Sequence, residues 1–421
     1  MRAESGTRPP SAERTRDRYL LYAAAFLRAL ATGMIAVLIG IHLAKIGFHP
    51  GVIGVIVAAG LSGAALAALL VTWAGDHLGR RRTFLALALL GGFGGIAIAL
   101  ASRPWVVGLA AFFGMLNGMG RDRGPSMILD QAVLPGTVRD ERRTLAFAYY
   151  NVVQDAGHAF GSLLAGLPVL LRHALPLGET EALRWAVGAC AILLLLTAVL
   201  YLGLSPSVES GTPARAAPVT PATRRIVTRI SLLFALDGLG GGFLTTAMLS
   251  LFFYTRFHVG EAVVGALFFG ARLMNAVSHL GAAWLARRIG LVNTMVFTHV
   301  PSSLLLVTVP FAPNFPVAAI LFLVREGLVE MDVPTRQSYV MAVVRPEERT
   351  FASGVTHLVR LAAWAAAPGF AGLFMRGASL AAPLVIGAGM KLTYDGLLFG
   401  AFRSVKPPEE AVGDGLRATK Q

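Results

Sequence analysis

The chain has little to brace it covalently and little charge to dissolve it. A single cysteine, Cys190, sits inside an apolar run, so no internal disulfide can form. Only 14% of residues are charged, against about a quarter in an ordinary soluble domain. No Gly-x-x-x-x-Gly-Lys-Ser/Thr phosphate loop occurs, which disfavours direct ATP drive. The histidines His42, His279, His299 and His357 are scattered without metal-ligand spacing and read as satisfied polar residues, so no metal or other cofactor is implied. A membrane-embedded enzyme acting on lipid would need a nucleophile, a metal cluster or an acidic diphosphate-binding motif, and none is found, so an enzyme is not expected.

What the chain does have is apolar length. Hydrophobic residues make up 55% of it and the mean hydropathy is +0.65. A bilayer core about 30 Å thick takes roughly 20 helical residues to cross. By that ruler twelve segments qualify: 20–44, 51–74, 83–101, 105–134, 143–171, 182–204, 226–255, 261–286, 292–311, 316–343, 349–375 and 380–402. The first is long and followed by others, so it reads as a retained helix and not a signal peptide. Gly157–Gly161 and Gly238–Gly242 have the spacing that lets membrane helices approach closely.

The net charge of +14 could suggest a nucleic-acid partner, but its distribution argues otherwise. With the N-terminus inside, Lys and Arg fall on cytoplasmic segments over the opposite side by about four to one, so both termini are expected in the cytoplasm. The localisation expected is the cell (cytoplasmic) membrane.

The stretch SPSVESGTPARAAPVTPATRR (205–225) is rich in Pro, Ser, Thr and Ala and reads as a cytoplasmic linker. It divides the chain into a bundle of six helices at 1–204, a second six at 226–402, and a cytoplasmic tail at 403–421. The halves are related: DQAVLPGTVRDERRTLA (130–146) aligns with RQSYVMAVVRPEERTFA (336–352), pairing Gln131 with Gln337, Arg139 with Arg345, Glu141 with Glu347 and Arg143 with Arg349. LRALATG (27–33) aligns with LDGLGGG (236–242), which sets Arg28 opposite Asp237. Two matches at nearly one offset indicate an internal repeat. The fold class is therefore all-α and integral to the membrane, with twelve transmembrane helices in two pseudo-symmetric bundles.

TWAGDHLGRRR (72–82) resembles the loop signature Gly-x-x-x-Asp-Arg-x-Gly-Arg-Arg of the major facilitator superfamily, and the chain resembles in particular its bacterial drug/proton antiporter-like members. Asp76, Gly79, Arg80 and Arg81 match, whereas Thr72 replaces the first Gly and His77 the first Arg. The second-half counterpart, LARRIGLVN (285–293), is degraded, with Arg287 at the Asp position. The resemblance implies that Asp76, Gly79, Arg80 and Arg81 form a conformational latch, and that helices one, four, seven and ten line a central cavity.

Ionisable residues inside spans each cost about 2.5–3.5 kcal/mol at a helix centre, so their retention needs compensation. Many of them lie on those four helices. Arg28, Arg121, Asp122, Asp237, Arg325, Glu326 and Glu330 are assigned to a substrate or proton pathway. Glu326 and Glu330, four apart and of like charge, favour sharing a proton, as coupling requires. Asp130, Asp332, Arg336, Arg139, Arg345, Arg143 and Arg349 are assigned to a structural charge network at the cytoplasmic exit; Asp332 and Arg336 are also four apart and of opposite sign. Arg28 and Asp237 are candidates for pairing across the pseudo-twofold axis.

The function expected is secondary active transport by alternating access, as proton-coupled export of a small, amphipathic molecule. The alternative is proton-coupled uptake of an anionic nutrient held by Arg28, Arg121 and Arg325; a lipid-acting enzyme or a non-transporting receptor ranks below both. The expected partners are a small-molecule substrate, protons and the lipid bilayer, with no nucleic acid, and a monomer is expected.

Overall fold

The computed structural model describes residues 12–121, 124–139, 143–209, 219–332, 335, 336, 339, 344 and 348–402, and no strand occurs among them. The helices are α1 (Ala12–Lys45), α2 (Pro50–Leu78), α3 (Arg80–Leu100), α4 (Pro104–Gly114), α5 (Pro125–Val133), α6 (Arg143–Leu164), α7 (Leu167–Ala174) and α8 (Glu179–Leu202). After the linker come α9 (Pro221–Phe243), α10 (Thr246–Phe257), α11 (Glu261–Ile289), α12 (Leu291–Thr308), α13 (Phe315–Val329), α14 (Arg349–Gly377) and α15 (Ala382–Phe402). Among the described residues, eight spans are long and apolar enough to cross a membrane by length and composition. Proline opens α2, α4, α5 and α9, where its missing N–H costs no helical bond. Thr220, Thr245 and Asn314 cap α9, α10 and α13 through their side-chain oxygens.

The chain forms two compact units. One comprises the described residues of 1–214 and 245–269, the other those of 215–244 and 270–421. Inside the first, α1 packs on α6 and α8, and α3 on α8 and α4. Inside the second, α9 packs on α14 and α15, and α12 on α15 and α13. Those are the same four contacts translated along the internal repeat. The glycine pairs allow close approach in two of them. A Cβ at Gly157 would lie 2.7 Å from that of Ala29 on α1, and one at Gly238 would lie 3.0 Å from that of Ala363 on α14.

Four of the expected spans are interrupted among the described residues: 143–171 between α6 and α7, 316–343 after Val329, and, with more consequence, 105–134 and 226–255. In 105–134 the helix stops at Gly114, Met115 takes a left-handed conformation (φ 55°), and α5 restarts at Pro125. Asn117 holds the break by accepting from the Met119 amide and donating to the Met115 carbonyl (both 3.1 Å). In 226–255 the run Gly240–Gly242 weakens the helix, and it breaks at Leu244 before Thr245 caps a new start. The breaks meet within the first unit: the Ala247 amide donates to the Gly118 carbonyl (2.9 Å) and the Thr246 hydroxyl to that of Met119 (3.1 Å). Farther along, Arg172 donates to the buried Glu261 carboxylate at 2.6 Å, which ties the start of α11 into the same unit.

The beginning of the linker is clasped. Buried Asp17 accepts from the Ser205 amide (3.0 Å) and from the hydroxyls of Ser205 and Ser207. Glu209 lies across the N-terminus of α3 and accepts from the backbone amides of Arg80 (2.6 Å) and Arg81 (3.0 Å), as a carboxylate does at the positive end of a helix. Gly79 makes the approach possible, since its φ of +87° suits glycine and a Cβ there would come within 3.3 Å of Glu209 Oε1. Glu209→Ala is therefore expected to cost about 1 kcal/mol. It should lower the thermal midpoint in detergent by a few degrees; an unchanged midpoint would remove Glu209 as a cap.

Candidate functional site

In the first unit the charge centre is a buried pair. Arg28 on α1 donates to Asp130 on α5 at 2.5 Å and also to the hydroxyl of Tyr201 on α8. The Tyr150 hydroxyl, on α6, donates to the same Asp130 oxygen at 2.7 Å and accepts from the Gln154 amide at 3.1 Å. Phe84 stacks on Tyr201 with ring centroids 4.5 Å apart and holds its hydroxyl toward Arg28. Four helices thus converge on one guanidinium–carboxylate pair.

Beside it lies a cavity. Arg28, Thr32, Asn117, Arg121 and Ser126 supply its polar lining, and Ile35, Leu87, Met115, Leu116 and Leu194 are among its apolar walls. The α4–α5 break forms one side of it, so the interruption that shortens this span also opens space next to the charged pair. A mostly apolar pocket with a few convergent polar groups is the ordinary form of a small-molecule site.

The second unit holds a larger cluster. Asp237 on α9 receives Lys391 on α15 at 2.9 Å, Arg360 on α14 at 3.0 Å and Arg336 at 3.3 Å. Arg336 also bonds Asp332 at 2.5 Å, the i,i+4 pair expected from the sequence. His299 on α12 extends the network, with Nδ1 2.8 Å from Asp395 and Nε2 3.2 Å from Lys391 Nζ. Arg360 lies over the Trp364 ring at 4.5 Å, and Arg336 over that of Phe234 at 5.2 Å. Three carboxylates face three cations here, and all but the Arg360 side chain are nearly sealed from solvent.

These two centres are equivalent in the repeat. Asp130 aligns with Arg336 and Arg28 with Asp237. Both units therefore bridge the same two elements, with the polarity reversed. Arg28 and Asp237, candidates for pairing with each other, instead each find partners within their own unit. Two residues assigned to the pathway thus sit in the same clusters as Asp130, Asp332 and Arg336, which were assigned to a structural network.

The other assigned residues fall apart from these centres. Arg325 contacts Glu326, whose carboxylate accepts from Asn275 on α11 at 2.7 Å while its backbone carbonyl accepts from the same amide at 3.0 Å. Glu330 lies 4.0 Å from His279. Glu326 and Glu330 are thus each provided with a neighbour on α11. Arg80 and Arg81 open α3 and reach the linker and the end of α8, donating to the carbonyls of Val208 and Leu202 respectively. Arg139 is exposed. Asp122 and Arg345, and the side chains of Asp76, Arg143 and Arg349, lie outside the described residues.

Sequence reasoning did not assign Lys391, Asp395, Arg360 or His299 to the site. Lys391 and Asp395 carry a usable signal, a cation and an anion four apart in an apolar helix. Tyr150 and Tyr201 carry none, because a tyrosine in a membrane helix is ordinary.

Comparison with known proteins agrees with this architecture. The Major Facilitator Superfamily profile matches residues 21–368. The membrane protein YJR124C of Saccharomyces cerevisiae is 24% identical over 93% of this chain and 95% of its own. Among solved structures, the nucleoside transporter NupG superposes with a TM-score of 0.71 at 13% identity, covering 91% of this chain and 98% of that one. A bacterial homologue of the human lysosomal transporter Spinster, inward-facing and occupied, superposes with a TM-score of 0.74 at 12% identity, covering 94% and 98%.

Proposed function

The chain belongs to the Major Facilitator Superfamily and is a multi-pass membrane transporter, and we propose that it couples transport to protons by alternating access, exporting a small amphipathic molecule. The observation that carries coupling is the cluster around Asp237. Intramembrane ionisable groups are costly to retain, and chains of carboxylates and histidine, such as Asp237, Asp395 and His299 here, are the usual composition of a proton relay. Export is supported by Gly157–Gly161 in α6 and APGFAG (367–372) in α14, which loosely resemble the Gly-Pro-x-x-Gly-type pattern of the superfamily's antiporters, although His158 stands where the proline would be. The excess of Lys and Arg on alternate segments supports cytoplasmic termini in the cell membrane.

A second reading has its own support. Arg28 and Arg121 line the first unit's cavity, and no Asp or Glu is among its described lining residues. That favours a substrate with an anionic group, and with it uptake of an anionic nutrient.

Both readings are tested in proteoliposomes with labelled nucleosides, small organic anions and amphipathic drugs, with and without an imposed proton gradient. Accumulation of at least one compound should rise about tenfold per pH unit for each proton coupled, and collapse with a protonophore. Flux indifferent to the gradient would sink proton coupling. The sign of the gradient that drives accumulation separates export from uptake.

A further inference from the structure

His299 has a defined protonation state in this structure, and the reason lies in what its neighbours can offer. Lys391 Nζ, 3.2 Å from Nε2, carries only donors, so Nε2 must accept. The ring proton then resides on Nδ1 and is donated to Asp395 at 2.8 Å. His299 is therefore neutral, and its one free lone pair is engaged by an ammonium that also donates to Asp237 at 2.9 Å.

The groups around it leave no room for a silent extra charge. From α15 come Lys391, Asp395 and Tyr394, whose ring meets that of His299 edge-on at 6.1 Å between centroids. From α9 comes Asp237, which also holds Arg336 and Arg360. From α13 come Arg325, whose carbonyl accepts from Ser302 one turn along α12, and its neighbour Glu326. With His299 neutral, the carboxylates and cations of the Asp237 cluster balance one for one. An imidazolium would face the Lys391 ammonium across the present hydrogen bond, in a medium where like charges are poorly screened.

We propose that His299 is a proton-binding site of this transporter, and that its occupancy sets the Lys391–Asp237 link between α15 and α9. This rests on the proton-coupled reading above. A proton from the aqueous phase takes the Nε2 lone pair, the Lys391–His299 hydrogen bond breaks, and Lys391 withdraws. Asp395 keeps the Nδ1 proton bond and neutralises the new imidazolium. Loss of the proton restores the present arrangement. The relay thus connects α12, α15 and α9 through one titratable ring.

The test uses protons as the only ligand. In a Cys190→Ala background, full-length protein in lipid nanodiscs carries spin labels at Leu78→Cys on the first unit and Ile289→Cys on the second. Populations of the distances between labels are compared at about pH 5 and pH 8, the range in which histidine titrates. His299→Gln is the decisive variant, because glutamine can donate to Asp395 and accept from Lys391 but binds no proton there. The wild type should change its population ratio about tenfold, a shift of about 1.4 kcal/mol. H299Q should show no change, and a control at exposed His173 (H173Q) should behave as the wild type. In parallel, the ring signal of ¹⁵N-labelled histidine that H299Q removes should be the Nδ1–H tautomer at pH 8 and imidazolium at pH 5. A pH response surviving in H299Q, no response in the wild type, or a His299 signal that does not titrate would each overturn the proposal. Gradient-driven flux together with any of these leaves coupling standing and removes His299. A His299-dependent pH response without gradient-driven flux removes coupling and leaves the proton site.

Discussion

Asp237→Asn is expected to be among the most destabilising single substitutions in the second unit. The Asp237 carboxylate is the common partner of Lys391, Arg360 and Arg336, and it is almost completely buried. Asparagine fits the space but removes the one described carboxylate that is ion-paired with all three cations. Leaving a buried charge unpaired costs about 3–5 kcal/mol, against which Asp332 can still hold Arg336 but Lys391 keeps only His299. D237N should therefore show a sharply lower yield of monodisperse protein and a thermal midpoint several degrees down. Adding Lys391→Met removes the most exposed consequence, since replacing both members of a buried pair with fitting uncharged groups is often nearly neutral. Recovery of most of the lost midpoint in D237N/K391M is the expected result. A D237N protein as stable as the wild type would mean that the three cations are satisfied elsewhere.

The second large effect concerns Arg28 and Asp130. Arg28→Ala takes from the buried Asp130 carboxylate its guanidinium partner, and Asp130→Ala takes from the buried guanidinium its carboxylate. Each single change should again cost about 3–5 kcal/mol. The reversed pair, Arg28→Asp with Asp130→Arg, should recover more than half of that. The grounds are within the molecule: at the equivalent positions Asp237 and Arg336 carry this polarity between the same two elements. The two flanking tyrosines are also indifferent to sign, because a tyrosine hydroxyl can donate to a carboxylate or accept from a guanidinium. Thermal midpoints of the wild type, two single variants and the double variant give the coupling directly. A double variant no better than the singles would show that the pair's surroundings select its polarity.

These centres were only partly legible in the sequence. Asp332 and Arg336 could be paired on paper because four residues in a helix return to one face. Arg28 and Asp130 could not, being 102 residues apart on different helices. The internal repeat showed that Arg28 and Asp237 occupy matching places, but matching places are not neighbouring ones, and the two fall in separate clusters. Glu326 stood out for its charge in an apolar span, yet Asn275 and Arg325 already engage it. His299 reads in the sequence only as a satisfied polar residue, since one histidine in a helix has no pattern to find; its seat between Lys391 and Asp395 is what distinguishes it.

The sequence by itself determined the class of molecule: apolar segments of bilayer length, a mid-chain linker, a half-length repeat and a loop signature. Each is a local or translational pattern, and such patterns survive in one dimension because hydropathy and repeat spacing need no knowledge of neighbours. Tertiary structure decided which charge meets which, where the fourth and seventh spans break, and how Glu209 reaches the start of α3. Those depend on how each helix is rotated and how deeply it is set against others far away in the chain. In an apolar interior that placement matters, because a charge must find its partner within a few ångströms or remain uncompensated.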